Sequence, residues 1–523
     1  MLLSNIKPRN DYGTWTPKTT SRAKIAGMYK RIISTFYPTV IIFLVYYFIS
    51  TLFPTVVPQL RFDPSNEISP KEFQRDTVAP DHTHSSPTIP LPISRKTSAI
   101  AAKPLKKDHQ NGLWQDMEYA DDTSSPGGVV GYTVFNNLYT ANGTLFAVTS
   151  DASSLPPVST FLSQDLNGPA DEKLFRIITP GMARELFGKR VIRLDGDSVF
   201  FADAAPDSFL AHYYHFVVEC FSGAWKALIS VSDKPLEEMN TPRRMIIARD
   251  PKWRDGPNLN AWFMNVILPD AIIEDEPMWL DRAKSGQAYV FERVVIVDRW
   301  AAHRHSSAVN KWNKMNAEVY DLKGPLNWFE PLRQSLKHSL QISEDQVSEK
   351  PVITYINRQK SKRRALKPAS HDELLISLME IQSEGLADVY DAQMETMSKQ
   401  EQFALATRTN IMIGVHGNGL SHLMWMPRGS DVIEIFTPQG FTRDYEIITP
   451  ALGHNHHVIW NDTIEAEESW RAKGHTSFPD DFQGTMIPVS GPLIKNLIKR
   501  IIADKYSRKS SLAEHDKLSM EIH

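Results

Sequence analysis

Directly after the β-branched run Ile411-Met-Ile-Gly-Val415 comes His416-Gly417-Asn418-Gly419, followed by Leu420-Ser-His-Leu-Met-Trp425 and a second apolar run, Asp431-Val-Ile-Glu-Ile-Phe436. A strand that stops at glycines and restarts as a short helix can hold backbone N–H groups and a helix N-terminus against a phosphate. At the carboxyl edge of a parallel sheet, the ligand side of an open α/β fold, such a loop predicts a nucleotide-linked ligand. Glycines also serve any tight strand-to-helix turn, so other residues must supply the rest of the chemistry.

Two further groups could do so. Val352-Ile-Thr-Tyr-Ile356 reads as a strand that ends at Asn357-Arg358, and a run of lysines and arginines continues to Lys367. An arginine fork delivered at a strand's carboxyl end suits a pyrophosphate, which makes Arg358 the expected contact and Arg363 the second, with the other cations on a solvated loop face. Within Ala211 to Lys226, His212, His215, Glu219 and Ser222 recur at helical spacing inside an otherwise apolar stripe that contains Tyr213, Phe216, Val217, Cys220 and Phe221. His215 with Glu219 one turn later is an oriented imidazole base, and His212 and Tyr214 beside it are candidates for an acceptor side. A pair of satisfied core histidines is the competing interpretation.

Glu434, a lone carboxylate in an apolar strand, is expected to accept hydrogen bonds from a ligand's ribose hydroxyls or to fix the glycine loop; an edge-strand position facing water is the alternative. Metal readings are weaker. His212-x-x-His215-x-x-x-Glu219 lacks the His-Glu-x-x-His pattern of zinc hydrolases, and Asp121-Asp122 and Asp195-Gly-Asp197 are short acidic pairs of a kind common in turns. No metal ligand is therefore assigned.

These residues need elements to position them. In the first half, Arg243 to Ala248, Ala271 to Glu274 and Val290 to Asp298 read as strands and Leu259 to Leu268 as a helix. After the polar segment Ser343 to Lys350, strands at Val352–Ile356, Leu386–Tyr390, Ile411–Val415 and Asp431–Phe436 alternate with helices at Asp372–Ile381, Ser398–Thr407 and Leu420–Trp425. This alternation predicts an α/β fold of two doubly wound parallel-sheet domains facing a cleft, 126–345 and 346–505, with a frayed tail over 506–523.

The remainder bounds location. The 523 residues have a net charge of −3, which offers no nucleic-acid footprint, and a single cysteine, Cys220, which excludes an internal disulfide. Ile32 to Phe53 runs without a charge, and at about 1.5 Å per residue it covers roughly 33 Å, enough for one transmembrane helix. The basic segment 1–31 predicts a cytosolic N-terminus and hence a single-pass type II topology; a cleaved signal peptide is the alternative. Residues 54–125, rich in Pro, Ser and Thr, read as a flexible lumenal stem. The sequons at Asn142 and Asn461 agree with a lumenal location.

Tyr213-Tyr-His-Phe216 with Glu219, Tyr355-Ile-Asn-Arg358, Gly414-Val-His-Gly-Asn-Gly-Leu420, Met426-Pro427 and Ile433-Glu-Ile435 together resemble glycosyltransferase family 61 in order and spacing. The resemblance covers roughly residues 200 to 460. It implies a GT-B fold and inverting transfer from a UDP-sugar, such as a GlcNAc or xylose donor, to a hydroxyl of a glycan or glycoprotein in the secretory pathway, with no obligatory cofactor. It places the diphosphate on Arg358 and the Gly414 to Leu420 segment. The expected address is the Golgi membrane, with the endoplasmic reticulum as alternative. A catalytically inactive glycan-binding scaffold and a metal-dependent lumenal hydrolase are the rival functions.

Overall fold

The computed structural model describes residues 114–116, 122–165, 168–206, 208–305, 317–342, 348, 350–466 and 477–505. The apolar run expected to span a membrane, most of the stem and the C-terminal tail lie outside these residues. Among the described residues no helix is long and apolar enough to cross a membrane.

The first sheet has nine strands: β1 (Trp114–Asp116), β2 (Ser124–Val129), β3 (Tyr132–Ala141), β4 (Thr144–Val148), β5 (Phe175–Ile178), β6 (Arg190–Phe201), β7 (Arg244–Ile247), β8 (Ile272–Asp275) and β9 (Ala288–Val297). Their order is β5-β4-β3-β9-β6-β7-β8, with β1 on β6 and β2 on β3. The β9-β6-β7-β8 portion is parallel. β3, however, runs antiparallel to β2, β4 and β9.

The first half is therefore a mixed sheet and not the doubly wound parallel sheet expected. The cause is local. Asn142 and Gly143 join β3 to β4 with φ of 51° and 82°, the left-handed pair that makes a two-residue hairpin match strand twist. β1 and the first two residues of β2 also fall within the stretch expected to be stem. β2 carries Pro126 and a register shift between Ser124 and Gly127, the marks of an edge strand held by main-chain pairing, not by an apolar period.

The second sheet comprises β10 (Val352–Ile356), β11 (Asp388–Ala392), β12 (Ile411–Val415), β13 (Asp431–Phe436), β14 (Asn455–Trp460) and β15 (Thr463–Glu465), ordered β11-β10-β12-β13-β14-β15. All neighbours are parallel except the terminal pair β14 and β15. Every residue of β10, β12 and β13 is buried, as expected for strands covered on both faces, and that is why they read as continuous apolar runs.

The two halves share one core. Tyr213, Phe216 and Trp225 of the first half pack in the same cluster as Phe403, Leu420 and Trp425 of the second. The Trp425 indole donates to the Tyr213 hydroxyl at 3.2 Å, and Arg333 Nε donates to the Met424 carbonyl at 2.9 Å. Parallel-rich sheets in an α/β molecule of this kind fit a GT-B-like fold.

Candidate active site

The carboxyl ends of β6 and β9 in one sheet and of β10, β12 and β13 in the other deliver the polar residues of interest. Beyond β6 lies Asp203, and beyond β9 lies Arg299. The Arg299 guanidinium is completely buried, donating from Nε to Asp203 Oδ2 at 2.7 Å and from Nη1 to Glu219 Oε2 at 2.5 Å. Glu219 Oε2 also meets His215 Nδ1 at 2.5 Å. Burial pushes the Glu219 pKa up, but the charges of His215 and Arg299 and their hydrogen bonds prevail and hold it at about 2. Glu219 is thus a carboxylate. It accepts a hydrogen bond from Nδ1–H of His215 and leaves Nε2 as the basic nitrogen of a ring that is partly exposed.

The helix that carries this couple departs from regular α geometry. Tyr214–Phe221 is a π-helix, with the Ser222 N–H reaching back to the Val217 carbonyl, and it runs into the α-helix Ser222–Ser230. The carbonyls that such a bulge frees are satisfied: Val218 by the Ser222 and Tyr320 hydroxyls at 2.5 and 3.2 Å, and Glu219 by the Tyr132 hydroxyl at 2.9 Å. Ser222 is consequently buried and does not extend the polar seam that helical spacing predicts.

His212 lies at the exposed rim, its ring 5.1 Å from that of His215, and the enclosing protein and the His215 charge push its pKa down to about 4. Tyr214 is buried. Its hydroxyl donates to the Asp444 carbonyl at 2.9 Å, so it braces the two halves and is not open to an acceptor.

In the second half, β12 stops at His416 and β10 at Asn357-Arg358. Gly417 has φ of 155°, and a Cβ there would stand 2.7 Å from Arg358 Nη1; at Gly419 a Cβ would stand 2.7 Å from Ile356 Cγ2. The two glycines are what allow the arginine and the strand to lie against this loop. Asn418 begins the short 3₁₀ helix Asn418–Trp425 and accepts from the Ser421 hydroxyl at 3.3 Å.

His416 is stacked on Phe436 and hydrogen-bonded through Nδ1 to Glu434 Oε1 at 2.7 Å; Glu434 Oε2 meets His456 Nε2 at 2.8 Å. Glu434 is fully buried. Burial raises its pKa, but the two imidazoles outweigh that and leave it below the ordinary value. With both oxygens occupied, Glu434 holds the loop through His416. It neither meets water nor has an oxygen left for a ribose.

Arg358 and Arg364 form no ion pair among the described residues. Arg358 reaches only the Arg364 carbonyl at 3.3 Å and the Ser361 hydroxyl at 3.4 Å, and the buried Nε of Arg364 has no partner. Burial lowers the pKa of both, helped by repulsion from Arg363 at Arg358 and from Arg358 and Arg363 at Arg364. Arg363, the expected second contact, is exposed. Its neighbour Arg364 takes the inward place because it adopts φ of 55°, which turns the loop and its side chain.

Sequence reasoning also missed Asp444. This carboxylate heads the helix Asp444–Ala451, with Oδ2 3.6 Å from His416 Nε2. Burial raises its pKa; His416 and His215 act against that and Glu219 with it, so both histidine couples lie within its electrostatic reach. The next residue, Tyr445, donates from its hydroxyl to the Gly417 carbonyl at 2.7 Å and packs edge-on against Tyr214, ring centroids 5.4 Å apart. One short helix therefore ties the glycine loop to the His215 helix.

The acidic pairs are engaged elsewhere. Asp197 takes both donors of Arg293 at 2.6 and 2.7 Å, Asp195 pairs with Arg193 at 3.1 Å, Asp122 accepts from the Ser150 hydroxyl at 3.4 Å, and Asp121 lies outside the described residues. Among the described residues no group of three His, Cys, Asp or Glu side chains is placed to hold a metal ion. The sequons occupy hairpin turns: Asn142 is exposed, and Asn461, half-buried, connects β14 to β15.

A histidine–carboxylate couple on one half and two arginines without an ion pair among the described residues on the other thus lie at the carboxyl edges of the two sheets. Residues 213–433 match the family model described as Glycosyltransferase 61; His215, Glu219, Arg299, Arg358, Arg364 and the Gly417–Gly419 loop fall within that segment, and Asp203, Glu434 and Asp444 fall outside it. The chain is also 32% identical over 108 residues to the EGF domain-specific O-linked N-acetylglucosamine transferase of Drosophila melanogaster. That alignment covers 21% of this chain and 20% of the relative. Both matches bear out the resemblance to glycosyltransferase family 61.

Proposed function

We propose that the chain is an inverting glycosyltransferase that moves a sugar from a UDP-sugar to a hydroxyl of a glycan or glycoprotein. The observation that carries this is the uncompensated pair Arg358 and Arg364 beside the Gly417–Gly419 amides, opposite the His215–Glu219 couple. The buried Nε–H of Arg364 finds no acceptor among the described residues, a cost that a diphosphate supplying oxygens to it would relieve.

In the reaction, His215 Nε2 removes the proton from the acceptor hydroxyl, and that oxygen forms its bond to the anomeric carbon as the bond to the UDP oxygen breaks. The electron pair leaves with UDP, where Arg358, Arg364 and the loop amides stabilise the growing negative charge. Glu219, fixed by Arg299, stabilises the imidazolium that results. One displacement inverts the anomeric centre. Asp444 and Glu434 hold His416 beside the leaving group.

The apolar run 32–53 and the stem before the first sheet support a membrane-anchored, lumenal placement in the secretory pathway, with the Golgi as its site. Expression with and without residues 1–53, followed by membrane fractionation, tests this: the shortened chain is expected in the soluble fraction, and its retention on membranes would count against the anchor. The donor reading is tested by isothermal titration of UDP against the wild type and Arg358→Ala. Saturable binding lost in the variant is expected; equal binding in both would remove the assignment.

A further inference from the structure

We infer that the molecule has a second ligand site, on the other side of the helix Asp444–Ala451, that takes a small oxyanion-bearing molecule. A cavity of roughly 590 Å³ lies there between the two halves. Lys226, Asp321, Leu326 and Trp328 line it from the first half, and Arg428, Arg443, Glu446 and Pro450 from the second.

Its charges do not cancel locally. Lys226 is only 5% exposed and sits 5.5 Å above the Trp328 ring. Neither a hydrogen bond nor an ion pair engages its ammonium among the described residues, and Asp321, the carboxylate that acts on it electrostatically, is exposed. Burial accordingly lowers its pKa. Arg428, exposed on the facing wall, also forms no ion pair among the described residues. Arg443, in contrast, is matched by Glu446 at 2.8 Å. With Arg443 matched, Lys226 and Arg428, one from each half, outnumber the remaining carboxylate, Asp321, and leave the cavity an excess of positive charge for a ligand's anionic head.

The rest of the cavity favours a body with an apolar face. Leu326 is 75% exposed at the rim, and Pro450 and Ala451 lie across from it; the Trp328 indole is fixed by donating to the Ala451 carbonyl at 2.8 Å. A desolvated ammonium beside an aromatic ring gains from a carboxylate or phosphate that enters with it, since opposite charges attract more strongly out of water. An occupant would touch both halves and lean on the helix whose first turn holds Asp444 and Tyr445, so its binding would stabilise their docking.

Carboxylate and phosphate are distinguished by probe. The unfolding midpoint of the full chain is followed against glucuronate and, separately, inorganic phosphate, at constant ionic strength balanced with chloride. A saturable rise is expected with at least one probe; a response to glucuronate names a carboxylate ligand and a response to phosphate alone a phosphorylated one. Lys226→Met and Arg428→Gln should each weaken the apparent affinity at least tenfold while leaving UDP binding unchanged. Because Arg428 is exposed, its variant keeps the fold even if Lys226→Met does not. Arg358→Ala should keep the response, which separates this site from the proposed donor site. Absence of a saturable rise, an unchanged response in Arg428→Gln, or loss of the response in Arg358→Ala would overturn the inference.

Discussion

At the scale of the residue, buried charge is arranged for chemistry at a cost in stability. Glu219 accepts from both His215 and Arg299, and its pKa lies near 2, below the ordinary 4.5. A depressed carboxylate contributes stability that is present above the unfolded pKa and lost as pH falls through the folded one. Wild-type stability should therefore decline between about pH 4.5 and 2. Glu219→Gln removes the partner of a buried cation and should cost roughly 3–5 kcal/mol at neutral pH. The gap between the two proteins should narrow on acidification, as read by urea unfolding at a series of pH values. At the other pole, Arg364 is half-buried, with a buried Nε that has no partner among the described residues. Arg364→Gln should weaken UDP roughly tenfold to hundredfold, the span of a charged hydrogen bond, and leave the unfolding midpoint unchanged or higher. A fall in the midpoint with unaltered UDP affinity would mark Arg364 as structural.

At the scale of the element, the glycines decide what can lie against what. Gly417→Ala places a Cβ 2.7 Å from Arg358 Nη1 at a φ of 155°, so a loss of roughly 1–3 kcal/mol in stability and a matching fall in UDP affinity are expected. In the first half, a Cβ on Gly223 would meet the Tyr132 ring at 2.3 Å. Gly223→Ala should destabilise by about 1–3 kcal/mol through overpacking, visible in thermal unfolding. Elements of this kind were unevenly legible. β10, β12 and β13 match the predicted strands to the residue because strands buried on both faces are predominantly apolar and β-branched along their whole length. The β3–β4 hairpin is signalled by Asn142-Gly143, whose turn-like context is legible in the sequence although the strands on either side of it are not. The π-helical turn at Tyr214–Phe221 has no signature in residue spacing, and the inward turn of Arg364 instead of Arg363 follows from one left-handed backbone position in a run of similar cations.

At the scale of the whole molecule, the site exists only where the halves meet. Tyr214 donates to the carbonyl of Asp444, Trp425 to the hydroxyl of Tyr213, and Tyr445 joins the glycine loop to the His215 helix. Contacts between residues so far apart in the chain cannot be read from local pattern, which is why the sequence singles out His215, Glu219, His416 and Arg358 but not Arg299, Asp203 and Asp444, which touch them or lie within their reach in the structure. The central claim is that a base on one half and a diphosphate cradle on the other perform one transfer. Release of UDP from a panel of UDP-sugars, with a glycoprotein acceptor mixture, measures it most directly in the wild type, His215→Ala and Arg358→Ala. Turnover with at least one donor is expected, reduced roughly 10²–10⁴-fold in His215→Ala with UDP binding intact, and lost together with UDP binding in Arg358→Ala. Undiminished turnover in both variants would contradict it.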